Sequence, residues 1–481
     1  MMADRWGSAP SEGRAVENTM TDGSTEAHRD AEAHRNEVRI GLVLSDPALT
    51  DAIVGGGAFG GAYSALVAQN MFDPGHDAAI EDAKRLVEIV EVADRSWLVR
   101  LPIVNSVVFE TDDGLVVVDT GMAPGGPAVL QAIRSVSSAP IHTIIYTHAH
   151  VDHCMGTWAL LDDNPQVIAH AAAPARFDRY VRLRGSVSRY MSQPLASFPR
   201  DEDDWVAPTQ TFTDTLSITV GGERFDLVHR PGETDDQLYV SVPGRRAIAS
   251  ADYYQGFLPN AGNGKRVQRY VEDWAVALRE MVALEPLHLL PAHGDAIAND
   301  PDAIAEVLSV HAEALEHIVA HTLAGLNQRD RQDVVADSLA MPEHLAAHPT
   351  LNEQYVSPAD IARMVMKLYC GWWDDIPSHW APARFDQQAA AVCELAGGAD
   401  AVVERARQLA HPPLHLVLID KIGRTGRDVQ KPVDPGAREG RQGGTQLRIS
   451  HGQIIGFGHG IHRWPNHGML HRVIDQLAEQ I

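Results

Sequence analysis

The segment "IHTIIYTHAHVDHC", Ile141 to Cys154, constrains this chain more than any other. A short apolar run reads as a buried strand, and it leads straight into three histidines and an aspartate between His148 and His153. Burying such groups without partners would cost several kcal/mol. The fold must therefore end a strand at a pocket where imidazoles and a carboxylate have something to bind. In so compact a loop, His148 and His150 can face one metal ion while Asp152 and His153 face a second. Imidazole and carboxylate ligands suit Zn²⁺, with iron and manganese also compatible. Two divalent ions, Zn²⁺ first, are the expected cofactors.

The surrounding text predicts a layered α/β protein. "SVVFETDDGLVVVDTG" is two β-branched runs about Asp112-Asp113-Gly114, a hairpin pattern. "PAVLQAIRSV" has helical spacing, "QVIAHAAA" is a further strand, and "TLSITVGGERFDLVHRPG" and "DQLYVSVPGRRAIASAD" add strands joined by glycine-containing turns. Candidate ligands fall where strands end, the usual place for a site in such a fold. After "LLPAHGD" the period changes. "DAIAEVLSVHAEALEHIVAHTLAGL", "SPADIARMVMKLYCGWW", "FDQQAAAVCELA" and "ADAVVERARQLA" all read as helices. The expected organisation is a disordered leader over 1–37, a catalytic domain over 38–300, an all-helical domain over 301–410 and a tail of unknown role over 411–481. The tail is Gly- and Arg-rich and closes on a helical pattern, "GMLHRVIDQLAEQI".

Composition narrows the partners. The chain has 481 residues, with 64 acidic and 40 basic side chains for a net charge of -24. That balance argues against nucleic acid, which needs a basic face. An anionic small substrate stays compatible, because a bound metal reverses the local field. Three cysteines form no disulfide framework, and the polar leader has no export signal, so a cytoplasmic location is expected. The stretch "IVGGGAFGGAYSALVAQNMF" is too rich in glycine for a membrane span and is expected to pack near the site entrance. The terminal "FGHGIHRWPN" resembles a haem-thiolate loop but has Trp464 where the cysteine ligand belongs, which excludes that haem chemistry.

The His-x-His-x-Asp-His loop resembles the first motif of the metallo-β-lactamase superfamily. The resemblance implies a four-layer αβ/βα sandwich and further ligands at later strand ends. The superfamily's Pro-Gly-His turn reads here "HRPGETDDQ", with Glu233 in the histidine's place. Nineteen residues on, Asp252 stands at the bridging position, and His293 in "LLPAHGD" is the implied last ligand. The implied shells are His148, His150 and Glu233 on one metal, and Asp152, His153 and His293 on the other, with Asp252 between. Asp152 and Asp252 then flank the catalytic water. His229 is a rival to Glu233. Asp119 is expected to orient a ligand histidine, and Cys154 to pack at a helix start.

Glutamate at that turn resembles the alkylsulfatases. "LYCGWWDDIPSHWAPA" and "LAGGADAVVERARQLA" resemble two segments of their helical dimerisation domain. The family likeness spans about Glu88 to Ala410 and implies a homodimer. It also implies an Asn and a cation for the sulfate, which fall on Asn260 and on Lys265 with the adjacent Arg266. The chain departs from the family in "YYQGFLP" before Asn260 and in Asp for Glu at position 252. The expected activity is metal-dependent hydrolysis of an alkyl sulfate. A lactone, thioester or phosphoester hydrolase stays open as the alternative, as does a non-hydrolytic di-iron or binding protein.

Overall fold

In the computed structural model, residues 77–409 are described, apart from 102, 192–194, 196, 197, 265 and 375. The expectations for 1–37, for the glycine-rich stretch, for Lys265 and for 411–481 lie outside the described residues. The chain divides into two compact units after Gly371.

Two sheets form the centre of the first unit. The first contains β1 (Glu88–Ala93), β2 (Ser96–Arg100), β3 (Asn105–Thr111), β4 (Gly114–Val118), β5 (Ile141–Ile145), β6 (Gln166–His170) and β7 (Gln210–Phe212) in that spatial order. Its first four strands are antiparallel, and β4 to β7 run parallel. The second contains β8 (Thr215–Val220), β9 (Glu223–His229), β10 (Leu238–Val242), β11 (Ala247–Ala251), β12 (His288–Pro291) and β13 (Ile297–Ala298), ordered from β13 to β8. Here only β11 and β12 are parallel.

Strand alternation builds the layers. Val107, Phe109, Val116, Val118 and Ile145 point to a core shared with Leu227, Val240, Val242, Ala249 and Leu290 of the other sheet. Their neighbours Val108, Leu115, Val117 and Ile144 point the other way, onto the helices Gly126–Val136 and Ala173–Arg182. Tyr239, Ile248 and Leu289 do the same on the second sheet, where the helices Val271–Ala283, Pro301–Asn327 and Pro358–Cys370 cover them. Period-2 apolar text buried on both faces thus gives two sheets enclosed by two helical layers. This is the four-layer αβ/βα sandwich. The expected hairpin also forms, with Thr111 opposite Gly114 across Asp112-Asp113. Gly114 adopts φ 134°, and a Cβ there would meet the Pro140 carbonyl at 2.6 Å.

The change from strand to helix near residue 300 leaves no seam in the core. Ile304, Leu308, Leu315, Ile318, Ile361 and Val365 pack in one cluster with Trp274, Leu278 and Leu289. Asp300 caps the long helix through the Ala303 N–H, and a Ser357–Asp360 capping box starts the helix Pro358–Cys370. In the second unit, Pro377–Trp380, Phe385–Leu395 and Ala399–Leu409 are helical. No residue of Phe385–Leu395 is buried, and Trp372 and Trp380 stack with ring centroids 5.8 Å apart. Among the described residues, no helix is long and apolar enough to cross a membrane.

Candidate metal centre

Five strand ends meet at one edge of the sandwich. Asp119 follows β4, His148 to His153 follow β5, Glu233 lies in the β9–β10 turn, Asp252 follows β11 and His293 follows β12. The histidine loop is short because its helix, Val151–Cys154, begins at once. Asp119 fixes it. Its Oδ1 accepts the Thr147 N–H at 2.8 Å, and its Oδ2 lies 2.7 Å from both Thr147 Oγ1 and His153 Nδ1. His153 Nε2 is thereby turned inward, where it has no hydrogen-bond partner.

Around that atom, Asp252 Oδ1 lies at 3.5 Å and Asp152 Oδ2 at 3.7 Å. His293 Nε2 lies 3.3 Å from Asp252 Oδ1 and 3.9 Å from Asp152 Oδ2, and its Nδ1 is 2.6 Å from the Ile103 carbonyl. His148 Nε2 approaches Asp252 Oδ2 at 3.9 Å and His150 Nδ1 at 2.9 Å. His150 Nδ1 lies 3.8 Å from Glu233 Oε1. Candidate ligand atoms of Asp152, His153 and His293 all lie within 4.8 Å of one another, as do those of His148, His153 and Asp252. Glu233 and His150 belong to neither close group.

The donor set fits a divalent metal. His153 Nε2, Asp252 Oδ1 and Glu233 Oε2 are buried without hydrogen-bond partners. Buried donors and acceptors left without hydrogen bonds in one cluster of strand ends are costly unless a cation completes them. The electrostatics agree. Burial alone would lower His153 and His293, but Asp252 and its neighbours outweigh it and lift them to about 10 and about 9. Burial and the neighbouring His153 push His148 well below the ordinary histidine value, and burial with His148 does the same for His150. Burial raises Glu233 to about 7 against the pull of Arg269. The divalent cation implied by these groups would relieve both the carboxylate repulsion and the orphaned atoms.

His229 lies elsewhere. It is the last residue of β9, with Nδ1 2.9 Å from the Gln237 carbonyl and its ring stacked 3.8 Å from His170. Asn260 is buried, with Oδ1 unpaired, and Arg266 has a buried Nε without a partner. Cys154 is buried and donates to the His148 carbonyl at 3.1 Å.

Four further residues reach the site without any signal read in the sequence. Asp236 is fully buried and accepts the Ala149 N–H at 2.8 Å, tying the Glu233 turn to the histidine loop. Arg176 approaches Asp236 at 3.4 Å. Arg269 is buried, with Nη2 2.5 Å from Glu233 Oε1. Tyr355 is partly exposed, and partial desolvation of its hydroxyl, with the charges of Glu233, Asp152 and Asp252, lifts it to about 12. In "RVQRYVEDW", nothing in the local text sets Arg269 apart from the neighbouring Arg266. The clue was the amphipathic text after it, whose Trp274, Leu278 and Met281 drag the turn inward. The Tyr270 N–H then binds the Gly232 carbonyl at 2.9 Å, which sets Arg269 against Glu233.

The description "Metallo-beta-lactamase superfamily" matches residues 99–293, which contain every candidate ligand named above. This part of the chain is a metallo-β-lactamase domain. Residues 331–413 match the alkyl sulfatase dimerisation model. Among curated relatives, a linear primary-alkylsulfatase of a Pseudomonas species is 27% identical over 324 residues, 62% of this chain and 61% of that one. A 2,4-dinitroanisole O-demethylase subunit alpha of a Nocardioides species is 28% identical over 170 residues, 34% and 44% of the two chains. Among solved structures, the stereoselective inverting sec-alkylsulfatase Pisa1 of a Pseudomonas species superposes with a TM-score of 0.58 at 19% identity. The match covers 72% of this chain and 58% of that one. The present chain thus spans about three fifths of the length of the first alkylsulfatase it matches.

Proposed function

We propose that the protein is a metal-dependent hydrolase of alkyl sulfate esters. The observation that carries this reading is Glu233. A carboxylate, where the superfamily usually has histidine, lies beside His150, and the rival His229 is engaged by Gln237 and His170. The homology to a linear primary-alkylsulfatase and the dimerisation match supply the substrate class.

In this reading His148, His150 and Glu233 would hold one Zn²⁺ and Asp152, His153 and His293 a second, with Asp252 between. When bound, the metals supply a water of lowered pKa and a counter-charge for the ester. The chain does the rest. Asp119 and Asp236 hold the loop rigid through Thr147 and Ala149. Asp252, whose Oδ1 lies between His153 and His293, and Asp152 would be the carboxylates flanking the attacking water. Arg266 and Asn260, with Lys265, would hold the sulfate, since a guanidinium matches a tetrahedral oxyanion. Tyr355 stays protonated at neutral pH and can donate a hydrogen bond to the same group. The homodimer, through helices of the 301–410 region, belongs to the same proposal, as does a cytoplasmic location.

One observation favours a second reading, a hydrolase of another ester or an aryl ether. The Nocardioides demethylase subunit is as similar, over a shorter span, as the Pseudomonas alkylsulfatase. A panel of dodecyl sulfate, shorter alkyl sulfates, a lactone, a thioester, a phosphoester and an aryl methyl ether separates the two. Sulfate release with metal present is the expected result. Turnover of any other member with alkyl sulfates left intact rejects the proposal. Glu233→Ala should lose at least one metal and nearly all activity.

A further inference from the structure

We infer that the two metal positions are unequal, and that Arg269 makes them so by competing for Glu233. This rests on the reading of the cluster as a two-metal site. The group Asp152, His153 and His293, with Asp252 3.3 Å from His293, is close enough to close on one ion. Among the described residues, Asp152 and Asp252 form direct ion pairs with histidines only, Arg269 acting on Asp252 from farther away than on Glu233. The other position differs in both respects. His148 Nε2 and His150 Nδ1 lie 2.9 Å apart, within hydrogen-bonding distance, and Glu233 and His150 fall in neither compact group.

Glu233 is also already partnered by a cation. Arg269 Nη2 lies 2.5 Å from Oε1, and Arg269 Nη1 donates to the Asn260 carbonyl. Only Oε2 is left without a partner. The backbone at Glu233 is held from behind, because the Glu233 main-chain N–H donates to Gln237 Oε1 at 2.6 Å. A guanidinium does not lose its charge in a protein. A divalent ion on Oε2 therefore shares one negative charge with a buried cation, in surroundings where like charges repel strongly. Arg269 cannot easily retreat. It stands just ahead of the helix Val271–Ala283, whose N-terminus is itself unfavourable to a cation. Glu233 is its compensating charge. The Asp152–His153–His293–Asp252 position fills first, and the His148–His150–Glu233 position is the labile one.

The test is metal titration of stripped, full-length protein against a chromophoric chelator, read as bound Zn²⁺ rather than activity. Wild type is expected to load in two steps whose Kd values differ by about tenfold or more. Glu233→Gln should lose the weaker step and keep the tighter one. Arg269→Gln should tighten the weaker step by about tenfold with the other unchanged. Arg269→Lys, which keeps the charge, should keep the separation. Two equal steps in wild type overturn the inference, whatever the variants do. So does a folded Arg269→Gln that loses its weaker step, since Arg269 would then organise Glu233 rather than compete for it. A wild-type protein that takes up no Zn²⁺ at all overturns the metal reading itself.

Discussion

At the scale of single residues, the site depends on what holds each ligand as much as on the ligand. Asp119 spends one oxygen on the Thr147 N–H and the other on Thr147 Oγ1 and His153. Asp119→Ala is expected to weaken metal binding about 10- to 100-fold, the usual effect of removing a group that orients a ligand histidine. Metal content after dialysis against a weak chelator would measure it, and unchanged content would remove Asp119 from this role. Proton balance gives a second prediction. In the metal-free protein His153 and His293 sit at about 10 and about 9, so both carry a proton at neutral pH. Metal uptake must displace those protons, and apparent affinity should fall as pH falls. Calorimetry in two buffers of different ionisation enthalpy would read the released protons directly. The same shift has a stability consequence of opposite sign. A histidine raised on folding stabilises the metal-free fold fully below about pH 6.5, and that share is lost as pH rises through about 10. The urea midpoint of stripped protein should decline across that window.

At the scale of elements, the histidine loop is held by backbone packed too closely for side chains. The Thr120 N–H binds the His153 carbonyl at 2.7 Å, and the Gly156 N–H binds the Gly121 carbonyl at 2.8 Å. A Cβ on Gly156 would stand 2.0 Å from the Thr120 carbonyl oxygen, and one on Gly126 would stand 2.2 Å from the Gly156 oxygen. Gly156→Ala must therefore push the post-β4 loop away from the metal loop. A loss of about 1–3 kcal/mol in stability is expected, the ordinary cost of overpacking, with reduced metal content. A variant that melts and binds metal like wild type would show that the loops yield freely. The helix Val271–Ala283 holds the opposite wall. Trp274 is fully buried and donates to the Tyr253 carbonyl at 3.0 Å, one residue beyond Asp252. Trp274→Ala should cost about 3–5 kcal/mol, seen as a lower midpoint in urea.

At the scale of the whole molecule, the unit up to Gly371 encloses its own core, whereas the helices after Gly371 leave apolar surface open. Leu395 is 89% exposed, Val392 55%, Trp372 70% and Trp380 66%. Such a concentration of exposed apolar groups marks an interaction surface. With the dimerisation match over 331–413, a second copy is the expected cover. Leu395→Asp should shift the mass measured by light scattering from dimer toward monomer. A protein that is monomeric at the outset, or a variant that stays dimeric, would place the interface elsewhere.

Much of the fold was legible because its causes are local. Alternation in "SVVFETDDGLVVVDTG" and "DQLYVSVPGRRAIASAD" depends only on which face of a strand each residue takes, and the hairpin at Asp112-Asp113 only on turn chemistry. The candidate ligands from His148 to His153 are neighbours in sequence, so their clustering needed no tertiary information. Glu233, Asp252 and His293 came from resemblance, and only the tertiary structure brings them to the same strand ends. Arg269, Arg176, Asp236 and Tyr355 had no such signature. Each matters because of what lies opposite it, and the partners of Arg269, Arg176 and Asp236 are 36, 59 or 60, and 87 residues away in the chain. Sequence by itself therefore determined the alternating strands and helices of a layered α/β protein and the chemistry of the histidine loop, through periodicity and residue type, while the sandwich came from resemblance. The tertiary structure decided which charges share that loop's pocket, because burial and Coulombic pairing are set by distance in space, not along the chain.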